Sequence, residues 1–107
     1  MKLKLSLLAI GLMSWGVADA GTITLACEPD YPEGAFCEAR VEGFTNPTPY
    51  SYDWDSTGRA YKPSPCSGDA CQYGCIGVGT GGSAVVRIYD ANSVLLGSAS
   101  RSICGPN

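Results

Sequence analysis

Histidine is absent from the 107-residue chain, so neither a Ser-His-Asp nor a Cys-His nucleophile can be built, and the commonest zinc ligand is missing. The groups left for chemistry are six cysteines, at 27, 37, 66, 71, 75 and 104, some closely spaced carboxylates and a high share of tyrosine. Asp53 and Asp55, at i and i+2, share one face of an extended strand, as a glycosidase pair would. A chain this short offers little wall for a substrate cleft, and two aspartates on a polar face are normally solvated. No enzyme is expected.

The same oxygens suit calcium better than catalysis. Asp53-x-Asp55-x-x-Gly58 and the Asp90/Asn92 turn present hard ligands at short spacing, but the EF-hand pattern fails. Thr57 and Ser64 stand where a further Asp or Asn and the bidentate Glu belong. Asp53, Asp55, Asp90 and Asn92 therefore stay candidates, since Asp and Asn also favour turns for backbone reasons. No metal or other cofactor is assigned.

Cysteine chemistry depends on the compartment. Met1–Lys4 is basic, Leu5–Val17 is apolar and Ala18-Asp19-Ala20 is a small-x-small cleavage pattern, so residues 1–20 read as a secretory signal peptide. The apolar run is too short for a transmembrane anchor, which needs about 20 residues. A lipoprotein signal ending at Cys27 fits poorly and would leave an odd number of cysteines. Cleavage after Ala20 leaves one small domain, residues 21–107, holding all six cysteines. In a secreted or periplasmic domain of this size, six cysteines predict three disulfides rather than free thiols or a zinc knuckle at 66, 71 and 75. Fifteen pairings are possible, and the sequence does not choose among them.

Removing Lys2, Lys4 and Asp19 with the leader leaves nine acidic and five basic side chains, a formal net charge of −4. The bases are scattered, so nucleic acid, which binds through clustered Lys and Arg, is excluded as a partner. After signal cleavage no membrane contact is expected either.

The elements that must position these groups are strands. Tyr50–Gly58 puts Tyr50, Tyr52 and Trp54 on one face and Ser51, Asp53 and Asp55 on the other, so Tyr52 and Trp54 are expected in the core. Thr22–Cys27 points Ile23, Leu25 and Cys27 one way. Phe36–Phe44 alternates Cys37, Ala39 and Val41 against Glu38, Arg40 and Glu42. Glu28–Ala35 and Arg59–Ala70 read as loop and irregular connection, and Thr80–Ser83 as a glycine-rich turn. Cys71–Val78 is a short strand, and Ala84–Asp90, an Asp/Asn turn and Val94–Cys104 form a hairpin. No helical period is sustained. Short strands separated by turns predict an all-β, antiparallel, immunoglobulin-like sandwich stapled by disulfides.

Pro49, Tyr50, Tyr52 and Trp54, followed by Gly58 and then by AVVRIYDANS, make this region resemble the polycystic-kidney-disease-type and related immunoglobulin-like domains of bacterial secreted proteins. The resemblance implies that Trp54 lies on strand C and that Val86, Ile88 and Asp90 lie on strand F, with Ser93 where glycine is usual. A second alignment takes Asp69, Tyr73 and Cys75 as the Asp-x-x-x-Tyr-x-Cys signature of true immunoglobulin domains, with Tyr73 as the tyrosine corner and Cys37 bridging Cys75. The spacing from Trp54 to Cys75 is too short for the strands expected between them, so Ala84–Asp90 is preferred as strand F.

Two functions emerge as expectations. One is a non-catalytic module binding an extracellular polysaccharide or protein, with the loop residues Tyr31 and Tyr61 free to meet ligand. The alternative is a small secreted protease inhibitor presenting the proline-stiffened Lys62–Cys66 segment.

Overall fold

A computed structural model of the chain describes residues 21–29 and 34–105. The expected signal peptide and Tyr31 lie outside the described residues. Seven strands run in order: β1 (Thr22–Pro29), β2 (Gly34–Glu42), β3 (Ser51–Gly58), β4 (Ala60–Tyr61), β5 (Ala70–Cys75), β6 (Gly82–Tyr89) and β7 (Leu95–Cys104). They form two antiparallel sheets, ordered β1-β2-β5-β4 and β3-β6-β7. That is the strand order of a constant-type immunoglobulin sandwich, A-B-E-D over C-F-G. The expected stapled β-sandwich is what the chain forms.

Side-chain alternation builds the core. Leu25, Cys37, Ala39, Cys71 and Tyr73 point inward from the first sheet and meet Trp54, Ala84, Val86 and Ile88 from the second. Many of these residues are small, so the two large rings carry much of the packing. Trp54 and Tyr73 meet edge to face with centroids 6.3 Å apart, and Tyr52 is half-buried against the same cluster.

Trp54 Nε1–H donates to the Gly68 carbonyl at 2.7 Å, and Tyr73 O–H donates to the Asp55 carbonyl at 2.6 Å. Both polar tips are therefore satisfied inside an apolar layer, as burial requires.

Three disulfides join Cys27 to Cys37, Cys66 to Cys71 and Cys75 to Cys104, and none of the six cysteines is free. The first links directly paired residues of β1 and β2, the second closes the segment entering β5, and the third ties the end of β5 to the end of β7 across the sheets. The alternative Cys37–Cys75 bridge is thereby overturned. Tyr73 sits inside β5, paired to β2, and its hydroxyl crosses to the other sheet, so it is no corner.

Several boundaries differ from expectation. The expected loop Glu28–Ala35 is partly strand, because β1 and β2 stay paired out to Pro29 and Ala35. The expected irregular connection contains β4, a two-residue pairing with β5. The expected turn at Thr80–Ser83 is strand from Gly82, whose glycine serves close packing: a Cβ there would lie 2.5 Å from both the Thr57 carbonyl oxygen and the Ala60 nitrogen.

Candidate functional site

The inward set on β2 fixes its outward set: Phe36, Glu38 and Arg40 face solvent. Register then lays three rows across the outer face of the first sheet. Glu28, Phe36 and Gln72 are in line, as are Ala26, Glu38 and Ala70, and Gly34, Gly74 and Tyr61. Phe36 and Tyr61, on this one face, are 42% and 39% exposed.

Glycine shapes this face. The Tyr61 ring lies over Gly74, where a Cβ would come within 2.7 Å of Cε1 and 3.0 Å of the hydroxyl. Next to it Gly34, at φ +144°, approaches the Tyr73 carbonyl so closely that a Cβ would lie 2.3 Å from it. Both glycines are buried, Gly74 beneath the Tyr61 ring, so Tyr61 covers the sheet beside the Phe36–Gln72 row. Beside Phe36 is a shallow depression of about 270 Å³ lined by Ala26, Glu28, Phe36, Glu38 and Arg40. It is open to solvent and offers an aromatic wall, a small floor and charged rims.

The other sequence candidates are scattered. Asp53 and Asp55 stand on the outer face of the second sheet, where the Arg87 guanidinium lies 3.6 and 3.8 Å from them. Asp90 is buried at the β6–β7 turn. Its Oδ1 accepts from the Asn92 and Val94 N–H groups, at 2.8 and 2.9 Å, and its Oδ2 accepts from the Asn46 side-chain amide at 3.0 Å. The Asn46 amide foremost, and then the Val94 N–H, hold its carboxyl below the usual range. Asp90 thus closes a turn with its own backbone, and Asn92 is exposed beside it. The four calcium candidates do not converge, and no group of three or more His, Cys, Asp or Glu that could hold a metal ion occurs among the described residues.

The Lys62–Cys66 segment is anchored at its two ends, and Pro63, Ser64 and Pro65 between them are exposed. Lys62 Nζ donates to the Trp54 carbonyl, while the Cys66–Cys71 bridge and the Ala39 N–H to Asp69 carbonyl bond, 2.8 Å, hold the chain between Cys66 and β5 against the first sheet.

No family model matches the chain. Neither a curated protein nor a solved structure resembles it significantly. No helix among the described residues is long and apolar enough to cross a membrane.

Of the two sequence-predicted aromatic contacts, Tyr61 is on the exposed face and Tyr31 is outside the described residues. Phe36, Gln72, Glu28 and Glu38 are not singled out by sequence reasoning. A signal for Phe36 is nevertheless present: if Cys37, Ala39 and Val41 face inward, an aromatic one residue before Cys37 must face outward.

Proposed function

We propose that residues 21–107 form a secreted or periplasmic, non-catalytic binding module, related in kind to the polycystic-kidney-disease-type sandwiches, that holds an extracellular polysaccharide on the outer face of the first sheet. The observation that carries this reading is the exposed pair Phe36 and Tyr61 on one outer sheet face, with the depression beside Phe36. Aromatic rings stack on the apolar faces of sugar rings, and neighbouring amides and carboxylates take their hydroxyls. Three disulfides in so small a domain fit an oxidising compartment. A protein ligand is less well served, because the aromatic area is small against the roughly 800 Å² per partner of a standard interface.

The inhibitor alternative has less support, since the one basic side chain of its loop, Lys62, is turned back onto the Trp54 carbonyl. A catalytic role has no histidine to draw on, and among the described residues the Asp53 and Asp55 pair is exposed.

The test is native affinity electrophoresis through gels containing soluble polysaccharides, comparing the protein with Phe36→Ala and Tyr61→Ala. Retardation by at least one polysaccharide is expected, weakened at least tenfold by each substitution, or about 1.4 kcal/mol. Retardation unaffected by both substitutions would remove the face from the account.

A further inference from the structure

We infer that the depression beside Phe36 selects sugars carrying a protonated amine, so that the polysaccharide is an amino-sugar polymer with free amines. The inference rests on the binding reading above and specifies its ligand. Among the described acids, Asp53 and Asp55 face Arg87 and Asp90 accepts three hydrogen bonds, while Glu42 and Asp69 are exposed but do not line the depression. Glu28 and Glu38 are the two carboxylates that line it; both are exposed and neither is in an ion pair among the described residues.

Their placement matches a ligand that stacks and carries positive charge. Glu28 is the direct cross-strand partner of Phe36, and Glu38 comes two residues after Phe36 along β2, on the same face. Such neighbours have Cβ atoms roughly 5 to 7 Å apart, so an amine on a sugar stacked against Phe36 comes within reach of either carboxylate. That is inside the screening length of about 8 Å at physiological salt. Arg40 is the one cation lining the depression, at the end away from Gln72, and two carboxylates outweigh it. A uronate polymer would meet like charge here. A neutral polymer would stack but leave both carboxylates unused.

The experiment uses the disulfide-bonded protein in native gels containing, in turn, a soluble partly deacetylated chitin derivative, its fully N-acetylated counterpart and polygalacturonate, at mildly acidic pH where sugar amines are protonated. Retardation by the free-amine polymer should exceed that by the acetylated polymer at least tenfold and shrink with added salt. Glu28→Gln and Glu38→Gln should each reduce the preference severalfold, while Asp53→Asn and Asp55→Asn, equal charge changes on the other sheet, should leave it intact. These substitutions are at exposed positions, and circular dichroism verifies the fold. Equal retardation by acetylated and free-amine polymers overturns the amine assignment and leaves the binding reading standing. An equal loss from Asp53→Asn overturns it too, because attraction to an acidic protein as a whole would then explain the effect. No retardation by these polymers or by any other polysaccharide overturns both.

Discussion

Trp54 and Tyr73 belong to a core otherwise made largely of Ala and Cys, and each anchors itself through a polar tip. Burial, reinforced by the nearby Asp55 carboxylate, pushes the Tyr73 hydroxyl up to about 12. A hydroxyl whose value is raised by folding contributes stability that is intact below the unfolded value, near 10, and is lost as pH climbs from there toward 12. Thermal unfolding midpoints should therefore fall over that window, and Tyr73→Phe should flatten the decline. Tyr52 is raised as well, chiefly by burial, so a smaller decline should persist in the variant. A Tyr73→Phe profile as steep as the parent's would refute this origin.

The acid limb has the opposite sign. Because its partners hold the Asp90 carboxyl low, the stability it contributes is present above the ordinary aspartate range and is lost as pH falls below it. Asp90→Ala should lower the unfolding midpoint at neutral pH and weaken its dependence on acid, read by pH-resolved thermal melts.

Among the elements, β2 does most to organise the molecule, since it lies between β1 and β5, buries Cys37 and Ala39, and turns Phe36, Glu38 and Arg40 outward. Its alternation is plain in the sequence, and so is that of β3. The two-residue β4 has no period to read, and it is invisible there for that reason. It nevertheless carries Tyr61 onto the same face as Phe36, which is why that grouping cannot be read from a chain where the two residues stand 25 apart. The pairing of β5 with β2 also has to be seen, because Gln72 and Gly74 join the face only through that register.

Gly74→Ala tests the element directly. The new Cβ meets the free end of the Tyr61 side chain, which can swing aside, so the cost in stability should stay within about 1 kcal/mol. Polysaccharide retardation should nonetheless drop severalfold as the ring leaves its seat. A variant with parental binding would show that the position of Tyr61 is irrelevant.

At the scale of the whole molecule, small size makes covalent links part of the stability. The three bridges span 29, 10 and 5 residues. In the chain-entropy picture they contribute about 3.6, 2.7 and 2.1 kcal/mol, comparable together with the net stability of an ordinary domain. Paired Cys→Ser replacements should destabilise in that order, with Cys75/Cys104 the most costly in urea melts. A ranking led by Cys66/Cys71 would contradict the loop-closure explanation. The existence of the bridges is legible from an even cysteine count in a short chain. Their connectivity is not, because it depends on β1 and β5 lying on either side of β2 and on β7 ending beside β5.

If ligand lies on the outer face of the first sheet, an amide-resolved NMR titration with a soluble free-amine chitin oligomer should give saturable shifts concentrated at residues 26–28, 36–40, 61 and 72–74, with the Asp53, Asp55 and Arg87 face silent. Shifts centred on that second face, or confined to the 62–68 segment, would contradict it.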